Sequence, residues 1–181
     1  ILSKFADEEA DIMIGTQMIV KGHDFPNVTL VGVLAADMSL YSDDYRSGER
    51  TFQLLTQAAG RAGRGRRPGE VVIQTYSPEH YSIQMAARQD YEGFYEKEMN
   101  YRDLMGYPPA SQLMAVLMTG ADEVRLATAA EYLKKYAVRV NTGEEIQVIG
   151  PASPSVGKVN DVYRKVLYLK SREYKELVWI K

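Results

Sequence analysis

Apolar residues in the first half of the chain come in short, nearly unbroken runs. Ile12-Met13-Ile14-Gly15-Thr16 and residues 28–36 (Val-Thr-Leu-Val-Gly-Val-Leu-Ala-Ala) read as strands buried on both faces, as in a parallel sheet covered by helices. Residues 71–75 (Val-Val-Ile-Gln-Thr), led in by Gly69-Glu70, predict a third. Between the second and third runs the apolar positions Tyr45, Phe52, Leu55 and Ala59 take helical spacing. Ser42 is the expected N-cap, Asp43-Asp44 fill a first turn whose dipole favours negative charge, and Gly60 is the expected stop. Strand, loop, strand, helix, strand is the rhythm of an α/β layer structure. Ser77-Pro78-Glu79 predicts the opening of the next helix, with Ile83, Ala87, Tyr91 and Phe94 on one face and Gly93 as a kink or break point.

Tyr107-Pro108-Pro109 closes that helical region, because proline cannot continue it, and is the expected domain boundary. The pattern then restarts. Residues 113–118 read as a strand. Asp122 is the expected cap of a helix whose apolar face is Leu126, Ala129, Ala130, Leu133, Ala137 and Val140. Residues 145–149 and 161–169 read as strands, and a last helix starts from Ser171. This β-α-β-β-α order suggests a small α+β domain with a split β-α-β arrangement. The chain opens without Met at the end of a helical pattern and closes inside another, so it is expected to be a fragment, with the second domain truncated at its end.

Composition narrows the class. The 181 residues are 45% hydrophobic and 25% charged, which is ordinary for a globular chain. No run of about 18 apolar residues spans a membrane. No secretory signal is present, and a cytoplasmic protein fits best. With no cysteine and only His23 and His80, neither a disulfide framework nor a structural zinc site is expected in this chain. A net charge of −2 excludes a uniformly basic nucleic-acid binder but not a local basic patch.

The most informative stretch is Gln57-Ala58-Ala59-Gly60-Arg61-Ala62-Gly63-Arg64. Two guanidinium groups three residues apart suit the oxygens of a phosphoryl group in flight, each offering a planar fork of donors that is always charged. The glycines are expected to remove side chains that would keep a phosphate or a facing domain at a distance. A second stretch, residues 15–26, carries Thr16, Lys21, Gly22, His23 and Asp24 at the end of the first strand. Thr16 and neighbouring backbone N–H groups can hold a nucleic-acid phosphate, Lys21 another, and Asp24 can accept from a ribose hydroxyl. On its own, Lys-Gly-His-Asp reads as a plain turn.

Together the two stretches resemble motifs V and VI in the second RecA-like lobe of superfamily 2 helicases. The wording of residues 15–33, Glu49-Arg50, residues 53–57, Gly69-Glu70-Val71, Gln74-Thr75-Tyr76, Pro78-Glu79-His80, Gly106-Tyr107-Pro108-Pro109 and Gly150-Pro151-Ala152 is similar to the primosomal protein N′ (PriA) family of replication-restart helicases. The resemblance implies a partial RecA-like lobe 2, a parallel sheet with helices, over residues 1–101, and an α+β C-terminal domain over 102–181. It implies part of an ATP-driven 3′→5′ DNA helicase that acts in restart of stalled forks. Arg61 and Arg64 would face the ATP γ-phosphate, with Gln57 and Gly60 beside it, and Asp24 would lie near the ribose or couple the nucleotide to the DNA. Thr16, Lys21 and Gly22 would contact DNA.

The family's first lobe, which supplies the phosphate loop and the acidic residues that hold Mg2+ with ATP, has no counterpart in this sequence. Nor has the cysteine-rich segment that holds Zn2+ in the full-length family. The chain alone is therefore expected to show no ATP turnover. Implied partners are forked and single-stranded DNA, single-stranded DNA-binding protein and other primosome proteins. Arg172 and Lys175 are candidates for the contact with single-stranded DNA-binding protein. They stand in a basic stretch, Lys158 to Lys181, interleaved with Tyr163, Tyr168, Tyr174 and Trp179. That stretch reads equally as a DNA-binding face and as a small sheet's aromatic core with solvated lysines. The rival readings are another superfamily 2 translocase and a non-enzymatic module binding DNA or a replication protein.

Overall fold

The computed structural model describes residues 2–20, 25–64, 67–143 and 145–180. The chain forms two compact units, Ile1–Lys97 and Glu98–Lys181. In order they hold α1 (Leu2–Ala6), a 3₁₀ turn (Gln17–Val20), β1 (Leu30–Val33), α2 (Asp37–Leu40), α3 (Ser47–Ala59), β2 (Glu70–Ile73), α4 (Tyr81–Arg88), α5 (Tyr91–Met105), β3 (Gln112–Gly120), α6 (Glu123–Val140), β4 (Gln147–Ala152), β5 (Lys158–Val159), β6 (Val162–Ser171) and α7 (Tyr174–Ile180). The fold is mixed α/β: a parallel sheet with helices, then a small antiparallel sheet with helices.

In the first unit β1 and β2 pair in parallel, Leu30 with Glu70 through Val33 with Ile73, joined through α3. The core gathers Phe52 and Leu55 of α3, Ile83, Met85 and Ala86 of α4 and Phe94 of α5 against Val33 and Ile73. Phe52 and Phe94 stack with ring centroids 4.1 Å apart. Burying a side chain of this size contributes about 1.5–3 kcal/mol.

Several expectations change here. Residues 12–16 form no strand, and Ile12 and Ile14 are 77% and 89% exposed. An apolar run becomes a buried strand only beside a ladder partner, and among the described residues β1 pairs with β2 alone in this sheet. Nor are β1 and β2 buried on both faces. Their burial alternates, Val31, Val33, Val71 and Ile73 inward and Leu30 and Val72 outward. The third helix opens at Ser47 rather than at Ser42, because the Asp44 carboxylate accepts from Arg46 N at 3.0 Å and holds residues 44–46 in a turn. Its end at Gly60 is as the sequence suggests.

The next helix is capped by His80, whose Nδ1 accepts from Ser82 N at 3.2 Å, rather than by Ser77. The Ser77 hydroxyl is taken up by the Tyr41 phenol at 2.6 Å. The break between α4 and α5 falls at Gln89, in the left-handed region at φ 53°, and not at Gly93. Gly93 instead donates its N–H to Asp90 Oδ1 at 2.8 Å, and a Cβ there would collide with that carboxylate.

In the second unit the sheet order is β3–β6–β4, with β5 on β6. Both β3 and β4 run antiparallel to β6, so they are parallel to each other with α6 between them in sequence. That is the split β-α-β arrangement the sequence suggested. Asp122 caps α6 by accepting from Arg125 N at 2.9 Å. Ala137, Ile146, Leu167, Leu169 and Leu177 form the core, with Met114, Val116 and Leu133 against it. A buried ion pair, Arg102 Nε to Glu98 Oε1 at 2.8 Å, stiffens the end of α5, and Arg102 also donates to Pro108 O at 3.0 Å.

Candidate functional site

Helix α3 delivers the arginine octet. Phe52 and Leu55 anchor one face in the core, which fixes where its C-terminal end emerges. Gly60 N bonds to Thr56 O at 3.0 Å and Arg61 N to Ala58 O at 3.0 Å, so the last turn tightens before the chain leaves. Arg64 Nε donates to Gly60 O at 2.7 Å. The cation thus sits over the carbonyl end of α3, where unpaired C=O groups and the helix dipole favour positive charge. Arg64, Gln57 and Gly60 are exposed, and Arg61 is half-buried.

The two glycines of the octet differ in what they do within this chain. Gly63 has φ +73°, and a Cβ on it would lie 2.6 Å from Gly69 N, so the loop closes backbone against backbone. Toward the rest of this chain Gly60 needs neither conformation nor space: its φ is −67° and the nearest atom to a Cβ would be 3.5 Å away.

The octet's loop is also bonded to the segment that leads into β1. Gly63 N donates to Val28 O at 3.0 Å, and Glu70 N to Thr29 O at 2.8 Å. Val28 and Thr29, just after the second stretch, therefore lie against Gly63 and the start of β2. Phe25 is braced in turn by an edge-on contact with Phe5, centroids 5.1 Å apart, and Asn27 donates to the Glu8 carboxylate. At the other end of the stretch, Thr16 is exposed. Its carbonyl accepts from Ile19 N at 3.1 Å and opens the 3₁₀ turn, while its hydroxyl takes only a long contact from Met18 N at 3.5 Å. Lys21, Gly22 and Asp24 lie outside the described residues.

Sequence reasoning missed Asp37. Its buried carboxylate accepts from Thr75 Oγ1 at 2.8 Å and from Tyr76 N at 2.9 Å, tying the carboxyl end of β1 to that of β2. The Tyr76 N–H is the main cause holding its pKa below the usual carboxylate range; burial opposes it and the Thr75 hydroxyl assists. The available signal was an acid closing one apolar run and a threonine closing the next.

In the second unit four cations of the basic stretch meet partners within the chain. Lys170 is buried, donates to Met105 O at 2.9 Å and lies over the Tyr107 ring at 3.7 Å, and burial lowers its pKa. Lys158 pairs with Asp161 at 2.9 Å, which raises its pKa, and Lys165 bonds Ser153 Oγ at 2.9 Å. Arg172 is exposed and meets Asp103 at 3.3 Å; Lys175 is exposed on α7 beside exposed Tyr174. No group of three or more His, Asp or Glu among the described residues is placed to hold a metal ion. No helix among them is long and apolar enough to cross a membrane.

Two family models match. The helicase conserved C-terminal domain covers residues 1–66, and the primosomal protein N C-terminal domain covers residues 103–178. The chain is 46% identical over 177 residues to the replication restart protein PriA of Bacillus subtilis, which is 98% of this chain and 22% of that protein. It is 40% identical over 170 residues to the same-named protein of Synechocystis, 94% of this chain and 20% of that protein. The chain belongs to the PriA family.

The PriA relatives are much longer, and the chain spans about a fifth of the length of these two. The match over residues 103–178 also sets aside a superfamily 2 translocase of another family, since it lies outside the motifs that such enzymes share. The first unit accordingly carries part of a RecA-like helicase lobe, and residues 57–64 fall within the matched span.

Proposed function

We propose that the intact protein is an ATP-dependent 3′→5′ DNA helicase acting in restart of stalled replication forks. In it this chain forms the later part of lobe 2, residues 1–101, and the C-terminal domain, 102–181. The observation that carries the reading is the exposed Arg64 fixed on the C-terminal end of α3, in a loop bonded to Val28. Two guanidinium groups on a rigid support suit phosphoryl oxygens.

Closure of the two lobes would bring Arg61 and Arg64 to the charge developing on the transferring phosphoryl group. An arginine in this role is worth about 10³–10⁵ in rate. Gln57 and Gly60 would line the same side, and Asp24 would meet the ribose. Thr16, Lys21 and Gly22 would hold backbone phosphates of the DNA. Because Gly63 N bonds to Val28 O, a shift of the octet's loop would pull on the DNA-facing stretch, so that hydrolysis becomes stepping.

ATP and Mg2+ would be bound mainly by the first lobe, and Zn2+ by cysteines elsewhere in the intact protein. The isolated chain would show no ATP turnover. Forked and single-stranded DNA, single-stranded DNA-binding protein and other primosome proteins are the partners, with Arg172 and Lys175 on the contact with single-stranded DNA-binding protein. A cytoplasmic location follows from work on DNA. The test is Arg64→Ala in the intact protein: DNA-stimulated ATP hydrolysis should fall by about 10³-fold or more while affinity for single-stranded DNA holds. Unchanged turnover would remove the arginine role.

A further inference from the structure

The carboxyl ends of β1 and β2 carry a feature the proposed mechanism does not use. Tyr76 is 92% exposed and Tyr41 is 70% exposed, although aromatic rings are large apolar bodies that folding ordinarily covers. Neither stands on slack backbone. Ala36 N donates to Gln74 O at 3.1 Å and Gln74 N to Val33 O at 2.9 Å, extending the ladder past both strands. Asp37 then accepts from Tyr76 N and from Thr75 Oγ1, and Ser77 N donates to Thr75 Oγ1 at 2.9 Å. The Tyr41 phenol is held by Ser77 Oγ at 2.6 Å, next to Tyr76 in sequence. Ala35, in the turn out of β1, has φ 51°, a conformation an alanine adopts only where its surroundings force it. Two aromatic rings are thus pre-positioned at the strand ends, and the carboxyl ends of parallel strands are where open α/β sheets bind ligands.

We propose that Tyr76 and Tyr41 form a stacking platform for unpaired bases of a single-stranded nucleic acid. Aromatic faces accept any base, so the platform gives affinity without sequence preference. Asp37 acts as a positioning residue, holding the backbone from which Tyr76 projects. The inference rests on the DNA-handling reading above but concerns different residues, on a different part of the lobe from the octet: Gly63 of the octet bonds to Val28, ahead of β1, whereas Tyr76 follows β2.

The experiment uses the 181-residue chain and a fluorescent oligothymidylate, with an abasic oligonucleotide of the same length as comparison. Fluorescence anisotropy should show that the wild-type chain prefers the oligothymidylate, and that Tyr76→Ala weakens binding by about 5- to 150-fold and abolishes the preference. Tyr76→Phe should keep it, since the ring remains. Asp37→Asn should weaken the oligothymidylate while leaving the abasic strand unchanged. Circular dichroism checks that each variant keeps its fold, and Tyr76 is exposed enough for the Ala variant to do so. Equal affinity for the two strands, no binding by the wild-type chain, or an undiminished Tyr76→Ala would each overturn the platform. None of these touches Arg64-dependent ATP hydrolysis in the intact protein, so failure here and failure of the motor reading are told apart.

Discussion

Replacing Gly63 by alanine separates two uses of glycine that stand three residues apart. At φ +73° an L-residue costs about 1–2 kcal/mol. The added Cβ would lie 2.6 Å from Gly69 N and 3.1 Å from Gly69 Cα, both backbone atoms that no rotamer change can move aside. Relief of such overpacking typically costs about 1–3 kcal/mol. The expected loss is therefore about 2–5 kcal/mol, concentrated where the loop closes on Val28 and leads into β2. Gly60→Ala meets φ −67° and ordinary contacts at 3.5 and 3.6 Å, so it should be neutral or stabilising by about 0.4–1 kcal/mol through the unfolded chain. Hydrogen exchange across residues 60–75 reads the local effect, and urea unfolding followed by far-UV circular dichroism reads the global one. Trp179, the single tryptophan, lies in the other unit and serves as an internal control by fluorescence. Wild-type protection of Glu70–Ile73 in Gly63→Ala, or an equal loss in Gly60→Ala, would refute the assignment of the loop closure to Gly63.

Other substitutions test neighbouring points. Arg64→Lys in the intact protein should rescue little of the ATP hydrolysis lost in Arg64→Ala, because an ammonium offers neither the Nε–H that bonds Gly60 O nor a planar fork; full rescue would mean that charge alone matters. The Asp37 pKa is lower folded than unfolded, so its stabilisation is present above the ordinary Asp range and is lost as pH falls through the folded value. Melting of wild type and Asp37→Asn from pH 7 downward should therefore show a gap that closes on acidification, and a constant gap would argue against the charge. Glu98→Ala leaves a buried guanidinium without its main partner and should cost about 3–5 kcal/mol in urea unfolding read by Trp179. Asp103→Ala, which breaks the exposed Arg172 pair, should cost about 0–1 kcal/mol.

Local chemistry was legible wherever a residue acts on its near neighbours. Asp122 caps α6, Gly60 ends α3 and the proline pair follows the end of α5, because each effect works within one turn of backbone. The order of the second unit was legible, apart from the two-residue β5, for a related reason: period and length of the apolar runs separate strands from helices there. Capping by His80 was less legible than the Ser-Pro-Glu order that precedes it, since the Ser77 hydroxyl is spent on Tyr41, 36 residues away.

By itself the sequence determined the family, through words specific enough to mark it, and it singled out the candidates for chemistry: an octet with two arginines and a polar loop some 40 residues earlier. It also determined the alternation of strand and helix, because side-chain periodicity is a property of the chain alone. Tertiary structure decided whether an apolar run finds a partner. Residues 12–16 and 30–33 look alike as text, yet only the second has a ladder, since backbone hydrogen bonds are satisfied between strands and not within them. It likewise decided the roles of Asp37, of Gly63 and of Lys170. Each depends on what a distant segment brings within about 3 Å, and burial and hydrogen bonding at that range are facts of the fold, not of composition.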